Sequence, residues 1–225
     1  MKQFKTFLLV ATTTVVLVST GCTSLNKTQK GVIVGTGAGA AVGAGVGKLA
    51  GNTALGAIIG AAVGGVTGGL IGKKMDNQAK EMEAIKDAEI TRVGEEINVT
   101  FNSGVLFPVN QFNLNEPSKA NMRELVTVLN KYPDTYVRVE GHTDASGTTT
   151  FNNELSEKRA MAVSLFLKEL GVADSRLKTA WYGESQPKFG NDTPENMAKN
   201  RRVEFAIYAN EKMKAEAEKE ATGTK

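Results

Sequence analysis

Glycines recur every fourth residue along two successive stretches, Gly35, Gly39, Gly43, Gly47, Gly51 and then Gly56, Gly60, Gly64, Gly68, Gly72. On a helix that spacing puts positions without side chains on one face, where a neighbouring backbone can approach closely. Asn52 and Thr53 separate the two sets and supply a turn, so residues 31–72 predict a glycine-zipper helical hairpin. Arms of about 17–19 residues reach about 27 Å at 1.5 Å per residue, close to the thickness of a bilayer's hydrocarbon core. In water such arms are weak helices, since each interior glycine costs about 1 kcal/mol relative to alanine. A flexible low-complexity tether is the competing reading. Fifteen of the 24 glycines fall between Gly31 and Gly72, where Lys48 is the only charged side chain, so the averages of 41% hydrophobic and 23% charged residues describe two materials joined in one chain.

The segment before the glycines has the three-part layout of a secretory signal: Lys2 and Lys5, an apolar run from Phe7 to Val18, then small residues up to Cys22. The apolar run is shorter than the roughly 20 residues a spanning helix needs, and cleavage after Gly21 is expected. Without Lys2 and Lys5 the chain carries 25 basic and 24 acidic side chains, which withdraws electrostatic support for binding nucleic acid. Ser19-Thr20-Gly21-Cys22 resembles a bacterial lipobox, with Ser19 where leucine is usual. Acylation at Cys22 would anchor the chain in membrane lipid, because two acyl chains already suffice for a stable anchor. Thr23 after the cysteine resembles a signal for the outer membrane. One cysteine excludes an intramolecular disulfide framework, and one cysteine with one histidine cannot build a zinc cage from soft ligands alone. Gly35-Thr36-Gly37-Ala38-Gly39-Ala40 imitates a dinucleotide-binding turn, but no Asp or Glu precedes Asp76 to hold a ribose. No cofactor is expected.

Beyond the glycines, Lys73 and Lys74 are placed to sit among lipid headgroups, and 73–92 reads as a charged helical connector. Ile97, Val99 and Phe101 alternate as a strand. Pro117 opens a helix presenting Met122, Leu125, Leu129 and Tyr132, and Pro133 closes it. Val137 and Val139 predict a second strand, 153–170 a second helix followed by Gly171, 177–182 a third strand, and Val203, Phe205 and Ile207 the last. The expected class is α+β: a βαβαββ sandwich with two helices packed on a small mixed sheet, spanning 93–209. The Lys, Glu and Ala run of 210–225 reads as a solvated tail or frayed helix.

The second helix places a charge where none belongs. Leu155, Arg159, Ala162, Val163, Phe166 and Leu170 share a face at helical spacing, so the Arg159 guanidinium falls in the stripe that meets the sheet. Unpaired, it would cost several kcal/mol. The strand before this helix ends in Gly141-His142-Thr143-Asp144-Ala145-Ser146-Gly147, which delivers Asp144 near the helix start. Two arrangements are open. Asp144 and Arg159 bridge each other, or they stand apart and receive the ammonium and carboxylate of a zwitterionic amino-acid head. His142, Asp144 and Ser146 lie too close in sequence to align as a catalytic triad, so no enzyme is expected.

Val139-Glu140-Gly141-His142-Thr143-Asp144, Asn152, Leu155-Ser156, Arg159-Ala160, Gly171-Val172, Arg176-Leu177, Tyr182-Gly183, Pro187 and Asn200-Arg201-Arg202-Val203-Glu204, taken in order, resemble the OmpA-like C-terminal, peptidoglycan-binding domain. With the lipobox and glycine zipper, the whole chain is similar to outer-membrane lipoproteins of the YiaD type and, more distantly, to peptidoglycan-associated lipoprotein. The resemblance implies a peptidoglycan ligand, the diaminopimelate of the stem peptide. It places the family's Asp on Asp144 and its Arg on Arg159, has Asn152 shape the loop, lets Thr143 add contacts, and has Arg201 and Arg202 fix the last strand. The sequence departs from the family at Phe107-Pro108, where Phe-Asp is common. The expected protein is a lipid-anchored, non-enzymatic tether with its globular domain in the periplasm, with peptidoglycan and membrane lipid as partners and no nucleic acid. The alternative makes the glycine hairpin a membrane-inserted homo-oligomer or an envelope-integrity factor, with wall binding as accessory.

Overall fold

The computed structural model describes residues 66–108 and 110–223. The signal segment, Cys22 and most of the predicted hairpin lie outside them. Described helices are α1 (Val66–Met82), α2 (Ser103–Leu106), α3 (Glu116–Lys131), α4 (Thr149–Glu169), α5 (Pro194–Asn200) and α6 (Glu211–Thr222). The strands are β1 (Glu89–Val93), β2 (Glu96–Asn102), β3 (Thr135–His142), β4 (Leu177–Trp181) and β5 (Arg202–Ala209). They form one mixed sheet in the order β1-β2-β5-β3-β4, in which only the β3–β4 pair is parallel. The α+β class and the two helices between strands agree with the sequence reading. Strand β1 is additional.

Register turns the alternating residues into rows. Val99, Phe205 and Val139 align across three strands, as do Ile97, Ile207 and Val137. All six are fully buried, and Phe101 meets Phe205 edge-on at a ring distance of 5.8 Å. Helices α3 and α4 contribute Met122, Leu125, Leu129, Val163 and Leu167 to this core. Asn115 caps α3 by accepting from the Ser118 N–H at 2.8 Å, just ahead of Pro117.

Two segments differ from expectation. Helix α1 runs without a break across the Gly72/Lys73 boundary, and its Ile71, Met75, Ala79 and Met82 belong to the core. Lys74 pairs at 3.3 Å with Glu216 of α6. The run read as a solvated tail or frayed helix is helix α6, capped by Asn210 and docked through buried Met213 and Ala217. Two small apolar positions four residues apart were enough to dock it, because α1 supplies the other surface. Among the described residues no helix is long and apolar enough to cross a membrane.

Candidate functional site

The site forms where β3 runs into α4. The two elements approach unusually closely: a Cβ on Gly141 would lie 2.2 Å from the Ser156 carbonyl oxygen, so only glycine fits there. The Ser156 hydroxyl accepts from the Gly183 N–H at 3.0 Å, and the Thr143 N–H donates to the Gly183 carbonyl at 2.8 Å. The buried face of α4 is Asn152, Ser156, Arg159, Ala160, Val163 and Leu167, not the expected stripe through Leu155, Ala162 and Phe166. The face is turned so that Asn152, Ser156 and Ala160 meet the sheet at this close crossing, while Phe166 and Leu170 of the expected stripe pack partly buried against the core. Arg159 and Val163 belong to both sets. Thr148 caps the helix, accepting from the Phe151 N–H at 3.2 Å, which starts it at Thr149.

Asp144 and Arg159 are both buried, 4% and 5% exposed, yet they do not pair with each other. Asp144 accepts from the Ser146 N–H at 2.9 Å and is bridged by Arg201. Burial works to raise its carboxyl, but the Arg201 and Ser146 hydrogen bonds outweigh this and hold it below the usual carboxylate range. The Arg159 Nε donates to the Gln111 carbonyl at 3.0 Å, and its guanidinium lies 5.1 Å over the Phe107 ring. Among the described residues no carboxylate lies within ion-pair distance of it. Its pKa is lowered, first by burial and then by Arg201, against the pull of Asp144. Arg201 therefore takes the Asp144 carboxylate, and Arg159 lies near that pair without joining it. The surroundings are open: Gln111, Ala145 and Ser146 are exposed, and the Arg201 side chain is 44% exposed.

Asn152 is buried and donates through Nδ2 to Glu184, and Thr149 Oγ1 donates to the same carboxylate at 2.9 Å. Asn152 thus ties α4 to the turn after β4, with its Oδ1 close to Gly147 of the Asp144 loop. Thr143 is buried, and its hydroxyl has no hydrogen-bond partner among the described residues. Arg201 and Arg202 were expected to act alike and do not. Arg202, inside β5, is fully buried and bridges Glu204, while Nη1 donates to the Asn200 carbonyl and Nη2 to the Gln186 carbonyl, both at 3.1 Å. Arg201, one residue before the strand, turns to Asp144. Counting back by twos from Val203 separates them. Gln111 could not be found in this way, because it contributes a backbone oxygen from a loop.

His142 stacks on Tyr182 at a ring distance of 5.3 Å, with Nε2 3.8 Å from Glu140. Burial lowers its pKa against the pull of the nearby Glu140 carboxylate. Glu140, His142 and Glu204 lie close enough to hold a metal ion. Arg138 already pairs with Glu140, and Arg202 and Lys188 with Glu204. A further cation would join three basic side chains, so ion pairing accounts for this cluster better than metal binding does.

The OmpA family model matches residues 106–201, and the YMGG-like Gly-zipper model matches residues 1–76. Outer membrane porin F of Pseudomonas aeruginosa is 38% identical over 126 residues, 56% of this chain and 34% of its own length. The probable lipoprotein YiaD of Escherichia coli is 35% identical, covering 52% of this chain and 54% of its own. The peptidoglycan-associated lipoprotein of Agrobacterium fabrum is 31% identical over 58% of this chain and 75% of its own. The chain spans about a third to a half of the length of the first relatives it matches. Among solved structures, a MotB-like protein from Desulfovibrio vulgaris shares the fold with a TM-score of 0.55 at 23% identity, over 62% of this chain and 90% of its own.

Proposed function

The chain belongs to the OmpA family, and from that premise we propose that it is an outer-membrane lipoprotein that grips peptidoglycan without covalent attachment. Acylated Cys22 holds the membrane, and the folded part binds the wall from the periplasm. The ligand is the diaminopimelate of the stem peptide, which ends in an ammonium and a carboxylate on one carbon. The observation that carries this reading is Arg159, a buried guanidinium with a carbonyl and a ring face for company but, among the described residues, no carboxylate. An incoming carboxylate completes it in two-pronged fashion. Asp144 has accepted two donors and keeps lone pairs for an ammonium. Arg201 bridges Asp144 from the solvent side and adds positive charge where the ligand's acid arrives. No step needs a nucleophile or base, so the protein acts as a tether rather than an enzyme.

Co-sedimentation of the detergent-solubilised protein with purified murein tests the site. The parent should pellet with murein, and Asp144→Ala and Arg159→Ala should each weaken this by roughly tenfold or more, as expected for losing a charge-assisted contact. Variants that sediment as the parent does would remove the site assignment. Intact mass of membrane-extracted protein checks cleavage and acylation at Cys22 independently.

A further inference from the structure

Among the described residues three phenylalanines are exposed, Phe112, Phe151 and Phe189, at 41%, 47% and 42%. Single apolar side chains on a surface are ordinary, but these three all lie on the segments that build the charged site. Phe112 follows Gln111, whose carbonyl receives Arg159. Phe151 opens α4, and its ring lies against Gly147 in the Asp144 loop, where a Cβ would come within 3.3 Å of it. Phe189 belongs to the segment after β4. Its N–H donates to the Asn200 side chain next to Arg201, and nearby Asn191 accepts from the Ala145 N–H at 3.2 Å.

The geometry points to a second part of the binding surface: an aromatic rim that takes the sugar rings of the glycan strand from which the stem peptide hangs. This rests on the wall-binding reading above and deepens it. A pyranose has a face of C–H groups edged by hydroxyls, and it stacks on a single exposed aromatic ring. The rim has the matching texture. The segments that carry the rings also expose Gln111, Thr149 and Thr150, and Lys199 sits 4.9 Å over the Phe189 ring. A protein partner would instead call for a continuous apolar patch. Two stem residues separate the sugar from the diaminopimelate, about 10 Å of chain even when extended, and each ring is carried by a segment that touches Arg159, the Asp144 loop or the neighbour of Arg201.

The test compares two soluble murein fragments titrated into the solubilised full chain: a stem tripeptide ending in diaminopimelate, and the same peptide carrying its disaccharide. The parent should bind the disaccharide fragment about tenfold more tightly. The triple variant Phe112→Leu, Phe151→Leu, Phe189→Leu should bind the peptide as the parent does and lose that preference, while the triple Phe→Tyr variant keeps it. The inference is overturned if the parent shows no preference, if the leucine variant retains it, or if the tyrosine variant loses it. Asp144→Ala separates the two layers. It should weaken both fragments alike, and unchanged peptide binding would count against the wall-binding site itself rather than against the rim.

Discussion

Arg202 and Arg159 are both buried arginines, and they are opposites. Arg202 lies on the polar face of the sheet, and its Nε, Nη1 and Nη2 each have a partner, one of them the Glu204 carboxylate. Arg159 lies where α4 crosses β3, and its company is one backbone carbonyl and one ring. Burying a guanidinium carries a large desolvation penalty in both places. At Arg202 the protein repays it internally. At Arg159 no carboxylate among the described residues does so, and under the proposed function the ligand's carboxylate would, which is the difference between a structural charge and a proposed binding charge.

The largest expected effect breaks the first half of this contrast. Arg202→Ala leaves Glu204 buried without its closest cation, so stability should fall by about 3–5 kcal/mol in urea unfolding. A loss below about 1 kcal/mol would place Arg202 outside the structural network. The next effect is on the pH profile of that network. Burial would raise the Glu204 carboxyl, but Arg202, His142 and Lys188 hold it at about 2. Its contribution to stability is full above the ordinary glutamate range near pH 4.5 and is lost as pH falls toward 2. Glu96 has the opposite sign. Burial, reinforced by Glu140, raises it to about 8, so its share of stability is present below pH 4.5 and drains away as pH rises through 8. Glu96→Gln should therefore flatten the decline between pH 5 and 8, worth roughly 2–4 kcal/mol at the alkaline end. An unchanged slope would mean that Glu96 is charged in the folded protein.

Arg159→Met sharpens the other half. Replacing a buried charge that has no carboxylate by an apolar chain of similar length should change stability by less than about 1 kcal/mol, or raise it, while murein binding is lost. Smallest is Arg201→Ala. The neighbour of Arg202 is half-exposed where it meets Asp144, so thermal unfolding should register only about 0–1 kcal/mol. A loss as large as that of Arg202→Ala would erase the distinction between these adjacent residues.

Much of this was legible in the sequence, for definite reasons. The alternation of Ile97, Val99, Phe101 and of Val203, Phe205, Ile207 survives as aligned rows in the sheet, and Pro117 opens its helix where the local chemistry allows. Strand β1 was not readable. Its Glu89-Ile90-Thr91-Arg92-Val93 is an edge strand with a weak apolar alternation and buries fully only Val93. The docking of helix α6 was not readable, because Met213 and Ala217 become a docking face only once α1 is folded beneath them. At the candidate site, the anomaly of a charge in an apolar stripe singled out Arg159 and the loop after β3 singled out Asp144, and the structure buries both without pairing them. The bridge from Arg201 and the carbonyl of Gln111 depend on tertiary geometry, which one-dimensional spacing does not encode.

The most direct measurement is nitrogen NMR of the arginine side chains in the solubilised protein, recorded while the diaminopimelate-ending tripeptide is added. The account predicts that the Arg159 side-chain signals shift and saturate with the peptide while those of Arg202 stay in place. Arg159 signals that remain fixed at saturating peptide, or Arg202 signals that move in their stead, would contradict it.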